Sequence, residues 1–172
     1  LGGALFMNAG AYGGEMKDIV KSVLTLNYRG EFEKITAQRL NLSYRDSLLQ
    51  KKNLIAVEAE IELEKGSKKE IAKKMVELEQ KRENKQPLSW PSAGSIFKRP
   101  ENDYAGRLIE AAGMKGESVG GAQVSEKHAG FIINTGNATA EDIKALISKI
   151  RKNVYEMSDI WLEIEPKFIG EK

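Results

Sequence analysis

The sequence predicts an α+β fold. Three observations carry the assignment: an alternating run at residues 57–63, a long helix-period apolar face at 143–157, and strands interrupted by helices without the regular spacing of βαβ units. In order along the chain, "DIVKSVLTLNYRGEFEKI" reads as two short strands joined by a turn at "NYRGE", with Val20, Leu24 and Leu26 on one face. "TAQRLNLSYRDSLLQ" reads as a short helix from Thr36 followed by an irregular loop. In "LIAVEAEIEL" the apolar Val57, Ala59, Ile61 and Leu63 alternate with Glu58, Glu60 and Glu62, the period-2 signature of a strand with one wet face. A helix from Ser67 to Asn84 follows, opened by a Ser67/Glu70 capping box and carrying the narrow stripe Ile71, Met75 and Leu78 in a charged segment.

The break at "NKQPLSWPSAG" divides the chain into residues 1–84 and 85–172. Beyond it, "DYAGRLIEAAGMKG" reads as a short helix stopped by Gly113. "FIINTGNATAEDIKALISKIRKNVYEMSDIW" reads as a strand, a turn and a helix capped by Thr139, with Ile143, Leu146, Ile147, Ile150, Val154 and Met157 on its packed face. The closing "IWLEIEPKFIG" reads as a strand that packs Leu162, Ile164, Phe168 and Ile169 and turns Glu163 and Glu165 to the other side.

Composition removes several function classes. With 41% hydrophobic and 30% charged residues the chain is globular, and a net charge of +2 gives no global attraction for nucleic acid or a membrane surface. In "KKEIAKKMVELEQKRENK" acids interleave with bases, which describes a solvated helix face rather than a nucleic-acid patch. The absence of cysteine excludes disulfides and thiolate metal sites and fits a reducing cytoplasm. The single histidine, His128, has no second histidine beside it, so no metal site is expected. No apolar run approaches the ~20 residues of a membrane span.

The opening "LGGALFMNAGAYGGE" begins without methionine and suggests a fragment. Gly2, Gly3, Gly10, Gly13 and Gly14 are costly in chain entropy unless backbone conformation or close approach requires them. Cradling a cofactor pyrophosphate is one such requirement, and a plain Gly-rich turn before a strand is the other. In "PSAGSIFKRP", Ser95 is not a nucleophile-elbow serine, because Ala93 and Phe97 stand where that motif needs glycine.

Taken together, "GGALFMNAGAYGGE", "YRDS", "KQPLSWPSAGSIFKRP", "AGRLIEAAGMKGESVGGAQVSEKHAGFIIN" and "LEIEPKFIG" resemble, in order and spacing, the UDP-N-acetylenolpyruvoylglucosamine reductase family of peptidoglycan synthesis. The resemblance implies the remainder of a two-subdomain FAD-binding domain followed by a small α+β substrate-binding domain. It also implies a further N-terminal FAD-binding segment, without which the fragment is expected to be inactive.

The implied chemistry uses NADPH to reduce FAD, and the reduced flavin to give a hydride to UDP-N-acetylglucosamine enolpyruvate, yielding UDP-N-acetylmuramate. The implied setting is a cytoplasmic, monomeric enzyme of cell wall biogenesis, and hence of cell shape and division. The implied catalytic set is Ser95 as proton donor, Arg45 of "YRDS" and Glu165. On the cofactor side stand Gly2, Gly3, Asn8, Ala9, Gly10, Gly13 and again Arg45; Tyr44, Lys85, Lys98, Arg99 and His128 face the substrate.

These residue types suit those roles. A serine hydroxyl is a poor acid, adequate only for a strongly basic acceptor such as an enolate-like carbon. Arg45 stays protonated and can hold a carboxylate and oppose developing charge. Glu165 either donates to an enolate oxygen or orients a neighbour. Local alternatives stand beside each: Ser95 as a turn hydrogen-bonder, Asp46 as the partner of Arg45, His128 as a structural hydrogen bond, Tyr104 as packing. Two departures from the family are visible. A charged helix replaces the lid loop with its tyrosine, which identifies the shorter branch, and Arg99 stands where other members carry a neutral amide. The competing functional class is a nucleotide-sugar binding module that has lost flavin, but such a module has no need of a proton donor.

Overall fold

The computed structural model of the chain describes residues 1–170, so the last two residues of the expected second domain lie outside the described residues. The architecture is α+β, with every strand pairing antiparallel. The chain forms two compact units, Leu1–Lys74 and Met75–Lys172. The divide falls inside the charged helix rather than at the composition break that follows it.

In the first unit, α1 (Gly2–Phe6) leads into a hairpin of β1 (Gly10–Ala11) and β2 (Gly14–Glu15). A 3-10 turn at Met16–Asp18 then starts a three-stranded sheet of β3 (Val20–Leu26), β4 (Phe32–Thr36) and β5 (Ile55–Ile61), in the order β4-β3-β5. Between β4 and β5 lie α2 (Ala37–Leu40) and α3 (Leu48–Lys51). The glycine-dense start thus holds a helix as well as a turn, and the loop expected after α2 contains a helix of its own, capped by Ser47.

Two strand faces differ from the alternation. In β3 the fully buried apolar residue is Val23, while Leu24 and Leu26 are only partly buried. In β5, Val57, Ile61 and Leu63 are exposed, and Ala56 and Ala59 pack against the core instead. The reason is a register shift: Thr25 opposes Ala56 but Leu24 opposes Glu58, so Val57 is the extra, unopposed residue of a bulge. A one-residue slip moves every later side chain to the other face, which a period-2 reading cannot anticipate.

The helix α4 (Lys68–Lys85) forms where the charged run predicts it, yet it buries no residue, and Ile71 and Met75 of its expected stripe are exposed.

The second unit is a four-stranded sheet in the order β6-β9-β8-β7, built from β6 (Ser92–Ser95), β7 (Ser118–Val119), β8 (Ala122–Val124) and β9 (Phe131–Asn134). Two helices accompany it, α5 (Ala105–Ala111) and α6 (Ala140–Ser158). Gly113 ends the α5 segment at φ +70, as its position predicts. Thr139 caps α6 in a capping box with Asp142. Ile96, Phe97, Leu108, Ile109, Leu146, Ile147, Ile150, Val154 and Leu162 share one core. Met157 departs from the expected helical face and is exposed, as are Phe168 and Ile169 of the closing segment. That segment is not a full strand; it meets the sheet through one bridge, Ile164 opposite Phe97.

Truncating Ile150, 0% exposed in this core, to alanine is expected to cost about 3 kcal/mol through lost burial and a residual cavity. Met157→Ala on the same helix should stay within about 0.5 kcal/mol. Urea unfolding of the two variants measures the contrast, and equal losses would mean that the core is misassigned.

Candidate functional site

The expected site residues fall into two constellations, one in each unit. In the first unit, Asn8, buried at φ +43, joins three pieces of chain: its Nδ2 donates to Glu15 Oε2 (2.7 Å) and its Oδ1 accepts from Lys17 N (2.9 Å). The β1–β2 hairpin beside it turns through Tyr12 (φ +53) and Gly13 (φ +90), the two positive φ values that a two-residue type I′ loop demands. Glu15 pairs with Lys17 at 2.9 Å, and that contact, with Asn8 second, holds its carboxyl below the usual carboxylate range.

Arg45 sits on a second tight turn, closed by reciprocal backbone bonds between Ser43 and Asp46 (both 3.1 Å), with its own φ at +54. Its guanidinium lies 5.1 Å from the Tyr44 ring centroid. Asp46 forms an ion pair with Lys51 at 2.5 Å, so its carboxylate does not serve Arg45 alone.

A cavity of about 410 Å³ opens among these parts, lined by Asn8, Gly10, Gly13, Lys17, Tyr44 and Arg45 among others. Gly2 and Gly3 are not part of it. They start α1, and Gly2 borders a separate 120 Å³ depression with Ala56 and Ala59. Ala9 is not among the lining residues either; its backbone N–H bonds to Ala4 O (2.8 Å).

In the second unit, the distinctive feature is a bulge. On β6 three residue steps separate Ser92 from Ser95, while only two separate their partners Ile133 and Phe131 on β9. Gly94 absorbs the difference at φ +78, which explains the glycine of "AGS" and re-aims Ser95. Ser95 Oγ makes only a long bond, to Phe97 O at 3.4 Å. The closing segment runs alongside: Lys98 N donates to Glu163 O (2.8 Å) and Glu165 N to Ile96 O (2.8 Å), which sets Glu165 beside the residue that follows Ser95.

His128 stands on the other flank. Its Nδ1 accepts from Gly130 N (3.1 Å), so the neutral ring carries its proton on Nε2, and the ring meets Phe131 edge-on at 5.0 Å. A Cβ at Gly130 would lie 3.0 Å from His128 Cε1 and 3.7 Å from Ser95 Oγ, so a side chain there would press on the imidazole and touch the serine only at ordinary contact distance. Burial pushes the imidazole below its ordinary pKa, and the nearby charges of Lys115 and Lys85 act in the same direction.

The expected substrate cations separate. Lys85 lies on the His128 side, Lys98 pairs with Glu163, and Arg99 stacks on Tyr104 at 4.1 Å while its Nε donates to Asp103 O (3.3 Å). Asp103 is held down to about 2 by Arg107 and by the Tyr104 amide. Among the described residues no group of three His, Asp or Glu side chains could hold a metal ion, and no helix is long and apolar enough to cross a membrane.

Two residues were missed from sequence. Ser47, fully buried, donates its hydroxyl to Phe6 O (2.7 Å), and Gln50 Nε2 donates to both Phe6 O (2.8 Å) and Arg45 O (3.0 Å). The S-x-x-Q spacing of a capping box at 47–50 was the signal available.

Comparison with known proteins gives a consistent answer. Residues 86–169 match the family described as UDP-N-acetylenolpyruvoylglucosamine reductase, C-terminal domain. All 172 residues align at 53% identity with the UDP-N-acetylenolpyruvoylglucosamine reductase of Alkaliphilus oremlandii and at 56% with that of Caldanaerobacter subterraneus subsp. tengcongensis, covering 57% of each relative. The crystal structure of UDP-N-acetylenolpyruvylglucosamine reductase from Thermus caldophilus superposes with a TM-score of 0.84 at 36% identity, over 96% of this chain and 59% of that one. The chain therefore spans a little over half the length of the relatives it matches.

The depressed pKa of His128 has a definite sign. Between its ordinary 6.5 and the lower folded value, the unfolded chain binds a proton that the folded chain does not. The resulting stability is present above 6.5 and is lost as pH falls through that window. The urea midpoint of the second unit should therefore drop more from pH 7.5 to 5.5 in the native chain than in His128→Gln. Parallel drops would show that the histidine contributes nothing to the pH dependence.

Proposed function

The chain belongs to the UDP-N-acetylenolpyruvoylglucosamine reductase family, and from that premise we propose that its protein reduces UDP-N-acetylglucosamine enolpyruvate to UDP-N-acetylmuramate, with FAD as hydride carrier and NADPH as reductant. The observation that carries the proposal is the glycine bulge that sets Ser95, together with the backbone bond from Glu165 N to Ile96 O that brings the closing segment to the residue next to it. A plain binding module gives no reason for a weakly bonded hydroxyl to be set on a glycine bulge.

The first unit's cavity fits the edge of a planar cofactor. Its rim includes Gly13 and Gly14, where an added Cβ would meet nothing within 4 Å, so bare backbone faces the opening, with Lys17, Tyr44 and Arg45 as polar partners. Gly10, Gly13, Asn8 and Arg45 are the residues of this chain that would hold the flavin. The N-terminal FAD-binding segment that the family's length implies would supply the rest, and the activity of the whole protein is proposed on that basis.

When bound, the flavin supplies a hydride taken from NADPH. The chain's own residues do the remaining work. Arg45 holds the substrate carboxylate and opposes the charge that builds on it as hydride arrives. Ser95 Oγ gives its proton to the adjacent carbon and recovers one from water, so that one hydride and one proton add across the double bond. Glu165 orients this exchange or donates to the enolate oxygen. His128, neutral with Nε2–H, and Lys85 face the anionic diphosphate side, joined by Arg99 on its tyrosine support. Lys98 is committed to Glu163 and contributes less to the substrate.

In the full-length flavoprotein, Ser95→Ala should leave flavin reduction by NADPH intact and slow flavin reoxidation by the enolpyruvyl substrate by about 100-fold or more, the contribution expected of a positioned acid. Stopped-flow measurement of the two half-reactions separates these steps. Unchanged reoxidation would remove Ser95 from the mechanism.

A further inference from the structure

We propose that Gln50, supported by Ser47, is the positioning residue that holds Arg45 in its working conformation. The proposal rests on the role assigned above to Arg45 in the reductase reaction. Arg45 has a Cβ and yet lies at φ +54, a conformation that is unfavourable for such a residue and persists only where surrounding bonds impose it. The turn itself supplies two backbone bonds, between Ser43 and Asp46, which close the loop but leave the Arg45 carbonyl to be fixed separately.

Gln50 provides that fixation. Its side-chain amide has two N–H donors, and Nε2 bonds to Arg45 O at 3.0 Å and to Phe6 O at 2.8 Å. One amide thereby ties the arginine turn to the C-terminal end of α1. Ser47 completes the connection: its hydroxyl donates to the same Phe6 carbonyl at 2.7 Å and accepts from the Gln50 backbone N–H at 3.3 Å, which starts α3 and fixes the base of the Gln50 side chain. Ser47 is fully buried, so these bonds are made away from water, where leaving a donor or acceptor unmatched is expensive. The neighbouring Leu49, 1% exposed, anchors α3 in the core. The path from α1 through Phe6 O and Gln50 to Arg45 O is thus short, polar and rigid, and it ends at the residue whose guanidinium borders the cavity.

The mechanism makes a prediction that simple destabilisation does not share. Gln50→Glu keeps the size of the side chain but replaces both donors by acceptors, which then face two carbonyl oxygens. In full-length flavoprotein this variant should slow reoxidation by substrate about tenfold with little change in NADPH reduction, and Gln50→Met should do the same to a smaller degree. Leu49→Ala destabilises the same helix without touching the turn, and at a temperature where it remains folded it should leave reoxidation unchanged.

Because Gln50 acts through Arg45, adding Gln50→Glu to Arg45→Ala should slow reoxidation no further than Arg45→Ala alone. A second readout needs no activity. Trypsin should cut the native chain after Arg45 about tenfold faster in Gln50→Glu, measured against the cut after Arg39 in the same sample. Wild-type rates of both reoxidation and Arg45 cleavage in Gln50→Glu would overturn the proposal, as would fully additive losses in the double variant. An Arg45→Ala protein that reoxidises normally would instead overturn the catalytic role of Arg45, and the clamp's catalytic meaning with it.

Discussion

Two backbone hydrogen bonds, Lys98 N to Glu163 O and Glu165 N to Ile96 O, organise the second unit. They join segments about 65 residues apart in sequence and so close the longest loop in that unit. Their effect reaches in two directions. Inward, they seat Ile96, Phe97 and Leu162 against the face of α6 that carries Leu146, Ile150 and Val154. Outward, the same bonds bring the Glu165 backbone beside Ile96, the residue that follows Ser95. Packing and chemistry therefore share one constraint, because any slip of the closing segment would unseat Leu162 and displace Glu165 at once.

In the first unit, turns at positive φ frame the cavity. Asn8, Tyr12 and Arg45 all lie at positive φ, and all three belong to the turns that frame the cavity. Only one of the three is an asparagine, the residue type that visits this region most cheaply besides glycine. Tyr and Arg at such positions cost stability that other interactions recover. The recovery is identifiable at two of them. The hairpin twist of β1–β2 favours the type I′ loop at Tyr12, and the Gln50 bonds hold the turn at Arg45.

Much of this organisation was legible in the sequence, and the exceptions have physical causes. The α+β class, α6 with its Thr139 cap, α5 with its Gly113 stop and the β3–β4 pair followed from periodicity and end signals that act locally. The buried faces of β3 and β5 did not, because bulges at Lys21 and Val57 change the phase of an otherwise regular pattern, and a bulge depends on the partner strand. The α4 stripe was real as a pattern yet none of its residues is buried, since spacing states which residues share a face and not whether a neighbour covers it. The hairpin of β7 and β8 was absent from the sequence-based picture; strands of two and three residues are too short to show a period. The candidate site was read in another way, from motif identity: "AGS" and "YRDS" are what single out Ser95 and Arg45. What motifs could not show was which glycines line the cavity and which open a helix.

The cations illustrate why residue type underdetermines role. Lys98 and Arg99 adjoin one another in sequence and suggest one anion contact, but both lie beyond the end of β6 and take different partners. Lys98 meets Glu163 through its backbone as well as its ammonium group, and Arg99 goes to the Tyr104 ring, where stacking restricts a guanidinium without neutralising it. Lys85, far earlier in the chain, joins neither; its charge is felt instead at His128. There a neutral imidazole is the form that suits the surroundings, since burial and two ammonium groups all disfavour a further positive charge. An anion brought to the Lys85 side would reverse part of that penalty and raise the imidazole pKa, so binding of an anionic ligand there is thermodynamically linked to proton uptake by His128.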